Sequence, residues 1–391
     1  MSDISRSNRF HIGVFGRRNA GKSSLINTLV GQDVSIVSPV AGTTADTVWK
    51  NVELPGVGAA VLGDTAGYDD IGELGSMRVE ASRKTLSRID AALLLLHDNP
   101  LDNILEREWL TKFNRAGIPV VLLQGHSDKA NCAEEWKTLL KRDVIPFSAV
   151  SGDGRDALLS AISGLLANDA DDDITRGLVH PGDVVVLVMP QDAQAPKGRL
   201  IQPQVQTLRN LLDKHAMPLC CTPEELMPLL ENLKNPPSLI ITDSQVFAEV
   251  EKLKPEGTLL TSFSVLMARH KGDMALFRKG AETLLSLPPD GKILIAEACS
   301  HIPQNEDIGR VKLPRMLRKR LGENIGITVV SGNDFPDDLN GYDIVIHCGA
   351  CMFTKRHVMA RVRQASAQGV PITNYGIAIA ALTGILNRVV Y

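Results

Sequence analysis

Residues 16–23 read Gly16-Arg17-Arg18-Asn19-Ala20-Gly21-Lys22-Ser23 and follow the apolar, strand-like run His11–Phe15. The pattern G-x-x-x-x-G-K-S between a strand and a helical pattern is typical of a phosphate-binding loop. Backbone N–H groups of residues 18–23 would surround phosphate oxygens at the positive end of the following helix. We therefore expect Lys22 to neutralise the β- and γ-phosphates of a nucleotide and Ser23 to bind Mg²⁺.

Two elements that complete such a site follow in the expected order. The stretch Asp64-Thr65-Ala66-Gly67 comes directly after the apolar run Ala59–Leu62. Its acidic residue would hold the Mg²⁺ shell, and its glycine N–H would meet the γ-phosphate. Between the two lies Gly42-Thr43-Thr44, in the position of a switch loop whose threonine completes the metal shell. The predicted catalytic residues are Lys22, Thr44, Asp64 and Gly67.

The predicted base-binding loops match their expected sequence patterns less completely than the phosphate loop does. The pair Ser148-Ala149 follows Ile145-Pro146-Phe147, as expected for a loop that contacts the base. After Val120–Leu123 the chain reads Gly125-His126-Ser127-Asp128, where guanine-reading loops carry Asn-Lys-x-Asp. Asp128 can accept both guanine N–H donors, but the missing Asn and Lys weaken the support for a guanine preference. The predicted nucleotide contacts are Gly16, Asn19, Ala20, Gly21, Lys22, Ser23, Ser24, Thr43, Thr44, Asp64, Asp128, Ser148 and Ala149.

Tyr68 stands where many small GTPases carry a glutamine that positions the attacking water. A tyrosine cannot orient water in that way, so the sequence predicts slow intrinsic hydrolysis. The alternative is a switch residue that packs on the surface. Slow hydrolysis suits a switch better than an energy-consuming motor.

Strand-like and helical patterns alternate over residues 10–165, which predicts an α/β fold with a mostly parallel sheet. The acidic run Asn168-Asp169-Ala170-Asp171-Asp172-Asp173 interrupts this pattern. We predict a phosphate-loop domain over residues 1–168, an acidic linker over 169–175, a small α/β domain over 176–262 and a third α/β domain over 263–391. A single helical stretch is expected from Phe263 to Leu287.

Composition narrows the class of protein. The chain has 391 residues, which is long enough for two or three domains, and its 44% hydrophobic and 22% charged residues are those of a globular protein. A net charge of −3 gives no basic footprint for nucleic acid. No apolar run approaches the roughly 20 residues of a membrane span, and no export signal is visible. We therefore expect a cytoplasmic protein whose six cysteines are reduced.

A second set of chemically active residues lies near the C-terminus. Cys299 follows the predicted strand Lys292–Ala296, and Cys348-Gly349-Ala350-Cys351 follows the strand Asp343–His347. If these strands are parallel neighbours, their ligands meet at one sheet edge, where open α/β sheets usually build sites. The candidate metal ligands are Cys299, Cys348 and Cys351, with His301 and His347 as a fourth ligand or as neighbours that orient a thiolate. Asp192 is a distant candidate for an oxygen ligand.

Residue chemistry leaves the identity of this metal open. Three thiolates can hold three corners of a [4Fe–4S] cluster and leave one iron for an exchangeable ligand. A structural zinc ion in a Cys₃His shell is the main alternative, because closed tetrahedral zinc sites are common. A disulfide between Cys348 and Cys351 is a third, minor alternative.

The N-terminal motifs resemble the translation-factor-like class of GTPases, especially the branch that contains Era and the tRNA-modification GTPases. In that branch the asparagine at the place of Asn19 is associated with a bound K⁺ that stands in for an arginine finger. The resemblance therefore makes Asn19 the candidate K⁺ ligand.

The whole chain resembles the GTPases of [FeFe]-hydrogenase maturation, the HydF family. The phosphate loop, Asp69-Asp70-Ile71-Gly72-Glu73-Leu74-Gly75 and the C-x-H…H-C-x-x-C pattern carry this resemblance. It implies a GTPase domain, a dimerisation domain and a domain whose [4Fe–4S] cluster is bound by Cys299, Cys348 and Cys351. It further implies a homodimeric scaffold that receives a diiron precursor made with the radical-SAM maturases HydE and HydG and delivers it to the hydrogenase apoprotein. GTP and GDP would then switch its association with these partners.

Two other classes of function remain at this point. An RNA- or ribosome-associated GTPase with a structural zinc would need a basic surface, against which the mild acidity argues. A nucleotide-regulated iron–sulfur enzyme would need acid–base residues in a substrate pocket, and the sequence identifies none. A bound cluster excludes the first, and transfer to an apohydrogenase separates the second from a maturation scaffold.

Overall fold

The computed structural model describes residues 9–30, 47–65, 67–68, 85–86, 88–167, 173–191, 200–298, 307–332, 334–350 and 353–391. The chain divides into two compact units, Met1–Asp171 and Asp172–Tyr391. Three largely parallel sheets with helices between their strands build these units, which confirms the predicted α/β class. Within the ranges given above, no helix is both long and apolar enough to cross a membrane.

The first unit contains a six-stranded sheet in the order β2-β3-β1-β4-β5-β6. Only β2 runs antiparallel to its neighbour in this sheet. Its strands are β1 (Phe10–Gly16), β2 (Val48–Leu54), β3 (Gly58–Asp64), β4 (Ala91–Leu96), β5 (Val120–Gln124) and β6 (Val144–Pro146). Its helices are α1 (Lys22–Val30), α2 (Ile104–Ala116), α3 (Ala133–Leu140) and α4 (Arg155–Ala167).

The central strands of this sheet are buried on both faces. Every residue of β4 is buried, and Ile12 and Val14 of β1 are fully buried. Continuous apolar runs of this kind are what parallel strands covered by helices require. In the register of the sheet Val14 pairs with Asp64, so the ends of β1 and β3 lie side by side. The loop after β1 and the acidic end of β3 therefore share one sheet edge.

The second unit contains two four-stranded parallel sheets. The first has the order β10-β9-β7-β8, with strands β7 (Val184–Val188), β8 (Met217–Cys221), β9 (Leu239–Thr242) and β10 (Leu259–Ser262). The other has the order β12-β11-β13-β14, with strands β11 (Lys292–Ala296), β12 (Gly326–Val330), β13 (Ile344–His347) and β14 (Ile372–Asn374). When the strands of each sheet are numbered in chain order, both sheets have the same spatial order: second, first, third and fourth strand.

Helices complete this unit. They are α5 (Gln202–Asp213), α6 (Leu226–Glu231), α7 (Phe247–Leu253), α8 (Phe263–Lys271), α9 (Met274–Leu285), α10 (Leu313–Leu321), α11 (Lys355–Ala367) and α12 (Tyr375–Leu382). A π-helix, Ile308–Lys312, precedes α10, and a 3₁₀ turn, Leu386–Arg388, follows α12.

The helical stretch predicted from Phe263 to Leu287 is wrong as a single element. Asp273 caps the start of α9 by accepting the N–H of Leu276, and this cap ends the preceding helix. A side chain at Gly272 would place its Cβ 2.2 Å from a ring carbon of Phe277, so the bend also needs a glycine. Two helices therefore replace the expected one.

The helices α8 and α12 pack closely on each other. Each begins directly after the last strand of its own sheet, with Ser262 and Asn374 as side-chain N-caps. A Cβ on Gly376 would lie 2.4 Å from the Oγ of Ser264, so only glycine fits at this crossing. This contact brings the carboxyl ends of both sheets into one region of the second unit.

Candidate functional site

The predicted phosphate loop lies between β1 and α1. Asn19 and Gly21 have left-handed backbone conformations, with φ of 58° and 92°. The Nζ of Lys22 donates hydrogen bonds of 3.1 Å and 2.8 Å to the carbonyl oxygens of Gly16 and Arg17. The lysine is buried and its ammonium group is held inside its own loop. This is the position that a phosphate-binding ammonium group requires.

Two of the oxygens predicted to surround Mg²⁺ meet in this unit. The Oγ of Ser23 donates a hydrogen bond of 2.6 Å to the carboxylate of Asp64. The next residue, Thr65, is fixed to β1, because its Oγ donates to the carbonyl of Val14 at 2.6 Å. A hydroxyl beside a carboxylate fits a hard cation that prefers oxygen ligands. The predicted switch residues Thr43 and Thr44 lie outside the described residues.

The predicted base-contacting residues also lie together. The Oγ of Ser148 donates a hydrogen bond of 2.7 Å to Asp128, and this bond is the main reason that the pKa of Asp128 is lowered. Ser148 is fully buried and accepts the backbone N–H groups of Val150 and Ser151. The Asp128 carboxylate is therefore held ionised, which suits an acceptor for the two N–H groups of guanine.

His126 links the base loop to the phosphate loop, and sequence reasoning assigned it no role. Its Nε2 lies 3.4 Å from the carbonyl oxygen of Asn19, and its backbone is left-handed with φ of 54°. A Cβ on Gly21 would lie 3.5 Å from the same nitrogen. The residue departs from the Asn-Lys-x-Asp pattern, and this departure was the feature of the sequence that could have drawn attention to it.

Tyr68 is only 5% exposed, so its predicted alternative as a surface-packed residue is wrong. Its hydroxyl donates a hydrogen bond of 2.9 Å to the carboxylate of Glu106 on α2. Its ring packs against Trp109 at a centroid distance of 5.6 Å. The sequence around Glu106 gave no indication of this contact.

The candidate metal ligand Cys348 follows β13 at the carboxyl edge of its sheet. Its Sγ accepts two backbone N–H groups, from Ala298 at 3.0 Å and from Ala350 at 3.3 Å. Ala298 directly precedes Cys299, so the chain segment that carries one predicted ligand reaches the sulfur of another. Backbone N–H groups directed at a sulfur stabilise a thiolate, which is the form that binds metals.

His347 is fully buried, and both of its ring nitrogens have partners. Its Nδ1 lies 2.9 Å from the carbonyl oxygen of Cys348, and its Nε2 lies 3.1 Å from the guanidinium of Arg361. Burial, followed by the charge of Arg361, lowers the pKa of His347 to about 3. The ring is therefore neutral and donates to the Cys348 carbonyl. Of the two predicted roles, this geometry fits the neighbour that orients the cysteine.

Two further side chains donate hydrogen bonds to backbone carbonyl groups next to Cys348. The Nδ2 of Asn374 donates to the carbonyl of Cys348 at 3.1 Å. The Nζ of Lys271 donates to the carbonyls of Ala350 at 3.0 Å and Phe353 at 2.9 Å. Within the described ranges, no three His, Cys, Asp or Glu side chains gather as metal ligands. The predicted residues that lie outside those ranges are Cys299, His301, Cys351 and Asp192.

Comparisons with known proteins assign families to three stretches of the chain. Residues 174–272 match the hydrogen maturase F dimerization domain, and residues 275–391 match the hydrogen maturase F tetramerization domain. Residues 11–124 match the model described as 50S ribosome-binding GTPase. The two maturase models leave only two residues between them.

Curated relatives cover the N-terminal part. The tRNA modification GTPase MnmE of Methylorubrum populi is 36% identical over 172 residues, which is 43% of this chain and 36% of the relative. MnmE of Xylella fastidiosa is 37% identical over 178 residues, or 43% of this chain and 37% of the relative. The chain thus spans little more than a third of the length of these relatives. A crystal structure of an Era variant from Aquifex aeolicus bound to GDP·AlF4⁻ matches with 21% identity and a TM-score of 0.33, covering 54% of this chain and 92% of that one.

Proposed function

Because the chain belongs to the hydrogen maturase F family, we propose that it is a GTPase that acts as a scaffold in [FeFe]-hydrogenase maturation. In this proposal it holds a [4Fe–4S] cluster and delivers a diiron precursor to the hydrogenase apoprotein. The observation that carries the proposal is the contact between Cys348 Sγ and the N–H of Ala298, the residue before Cys299. It supports a shared site for ligands that are almost fifty residues apart in the sequence.

We assign nucleotide binding to the first unit. Lys22 would neutralise the phosphates of GTP, Ser23 and Thr44 would bind Mg²⁺ with Asp64 beside them, and Asp128 would accept the guanine N–H donors. The Ser23–Asp64 and Ser148–Asp128 hydrogen bonds support these roles. Asn19 would bind a K⁺ ion that accelerates hydrolysis, and its exposed position on a left-handed turn of the loop fits a ligand that faces the phosphates. Tyr68 cannot position water, so hydrolysis would be slow and suited to a switch.

We assign the cluster to the second unit. Cys299, Cys348 and Cys351 would bind three of its irons, and His301 remains a candidate for the fourth position. When bound, the cluster would supply an iron whose fourth ligand can exchange. His347 would stay neutral and orient Cys348 through its carbonyl group. The buried cations Lys271 and Arg361 lie next to the segment around Cys348 and would offset the negative charge of three thiolates.

The family supports a chain that assembles with copies of itself, since both maturase models describe oligomerisation domains. We propose a dimer in the cytoplasm whose partners are HydE, HydG and the hydrogenase apoprotein. The three parts would be a GTPase domain over residues 1–168, a dimerisation domain over 176–262 and a cluster domain over 263–391, with the acidic run 169–175 as linker.

Apohydrogenase activation tests this proposal. The chain, reconstituted under argon and loaded in the presence of HydE and HydG, should confer hydrogen evolution on the apoprotein. Cys348→Ser should abolish this activation, whereas Cys220→Ser, an exposed cysteine on β8, should leave it unchanged. Equal activation by both variants would contradict the role given to Cys348.

A further inference from the structure

A fully buried carboxylate connects the phosphate loop with the segment that follows β3. Glu106 on α2 has no exposed surface. Its carboxylate accepts two hydrogen bonds from the Arg17 guanidinium, from Nε at 2.8 Å and from Nη2 at 3.1 Å. The same carboxylate accepts the hydroxyl of Tyr68 at 2.9 Å. We call these three residues the Glu106 bridge.

The ion pair makes the buried carboxylate tolerable. An ionised carboxylate without partners would be strongly disfavoured in the interior, but a two-bond pairing with a guanidinium compensates much of that cost. Arg17 is held further by Asp102, through Nη1 to the carboxylate at 2.6 Å and Nη2 to the carbonyl at 2.9 Å. Hydrogen bonds to Glu106 and Asp102 raise the pKa of Arg17, and the hydrogen bond from Arg17 in turn lowers the pKa of Asp102. The guanidinium is thus fixed in place by four hydrogen bonds.

Both arms of the bridge end at backbone that the proposed GTPase would use. Arg17 directly follows Gly16, and its carbonyl oxygen accepts the Nζ of Lys22 at 2.8 Å. Tyr68 directly follows Gly67, whose N–H is the expected donor to the γ-phosphate. On the other side of Gly67, Thr65 is tied to β1 by two hydrogen bonds to the Val14 carbonyl. Gly67 therefore lies between two anchored residues.

We propose that Glu106 is a positioning residue that holds Gly67 in register with the phosphate loop, so that the pocket discriminates GTP from GDP. Anchors on both sides reduce the ordering that the segment must undergo when a γ-phosphate binds, and preorganisation of this kind increases affinity. GDP lacks the γ-phosphate and gains nothing from the anchored Gly67. The inference rests on the proposed GTPase function and adds to it the residue through which the third phosphate is sensed.

Two substitutions separate this role from simple packing. Tyr68→Phe removes one hydroxyl and keeps the ring against Trp109, so the fold should persist. Glu106→Gln removes the charge that pairs with Arg17. Glu108→Gln is the matched control, because Glu108 lies on the same helix and is exposed. The dissociation constants of a non-hydrolysable GTP analogue and of GDP are measured for each chain with fluorescent nucleotides, next to a thermal melt.

We expect Tyr68→Phe and Glu106→Gln to weaken binding of the GTP analogue by about tenfold relative to binding of GDP. This is the scale of one hydrogen bond to a charged group. Glu108→Gln should leave the ratio of the two constants unchanged. If Tyr68→Phe bound the GTP analogue as tightly relative to GDP as the unsubstituted chain does, or more tightly, the positioning role would be overturned. An equal loss of affinity for both nucleotides would overturn it as well. If the unsubstituted chain bound neither nucleotide, the proposed GTPase function would fail, and this inference with it.

Discussion

The ammonium group of Lys271 donates a hydrogen bond of 3.0 Å to the carbonyl oxygen of Ala350, the residue before Cys351. Lys271 is the last residue of α8 and is 5% exposed. Ala350 has a left-handed backbone with φ of 52°, so the turn between the two cysteines is of a kind that needs support. A helix that starts from the first sheet of the second unit therefore braces the proposed ligand loop of the other sheet.

Removal of this brace should loosen the loop. In Lys271→Met the carbonyls of Ala350 and Phe353 lose their ammonium donor inside the protein, which should cost about 2 kcal/mol of unfolding free energy. Iron should then be lost faster to a chelator after reconstitution. Urea unfolding and chelation kinetics measure the two effects. Lys279→Met on α9 is the control, since Lys279 is exposed, and equal behaviour of the two variants would contradict the bracing role.

The proposed nucleotide and metal sites should be separable by substitution, because their residues belong to different compact units. Lys22→Ala should abolish nucleotide hydrolysis and leave the iron content unchanged. Cys348→Ala should lower the iron content and leave hydrolysis unchanged. Phosphate release and iron analysis on both folded variants provide the measurement. Loss of both properties in either variant would show that the two-site account is wrong.

Potassium dependence tests the role of Asn19. Asn19→Gly removes the amide oxygen while glycine accepts the left-handed backbone of this position without strain. The variant should hydrolyse GTP at equal rates in K⁺ and Na⁺, whereas the unsubstituted chain should be faster in K⁺. Nucleotide affinity, measured in Na⁺, should be retained and serves as the control. Undiminished stimulation by K⁺ in the variant would exclude Asn19 as its ligand.

A single substitution at Asp128 should change which base the chain recognises. An asparagine at this position keeps one acceptor but offers an N–H donor, which fits the oxygen at C2 of xanthine and opposes the amino group of guanine. Asp128→Asn should therefore weaken GTP binding by about tenfold or more and improve binding of XTP. Competition titrations with both nucleotides measure the change. Unchanged GTP affinity would mean that other groups read the base.

Sequence reasoning predicted the parts of the sites that follow a strand end. The phosphate loop, Asp64 and Cys348 are each placed by an apolar run that leads into a short motif, so local sequence is sufficient to locate them. Several strands were missed, namely β2, β6, β8, β10 and β14. Of these, β8 contains Pro218, and β14 has only three residues, so neither shows a clear apolar pattern.

The contacts that hold the sites together could not be predicted in this way. Arg17 and Glu106 are 89 residues apart, and Glu106 lies among charged neighbours that resemble the solvent face of any helix. Lys271 ends a basic helical turn, which is common at exposed helix termini. Their burial follows from tertiary packing, which no local pattern in the sequence records.

The central claim is that the second unit binds an iron–sulfur cluster. The most direct test is the content of iron, sulfide and zinc in the anaerobically reconstituted chain, together with the EPR spectrum of the reduced sample. The account predicts about four irons and four sulfides per chain and a reduced-cluster signal that disappears in Cys299→Ala. One zinc ion per chain without sulfide would contradict it and would make this a GTPase with a structural metal.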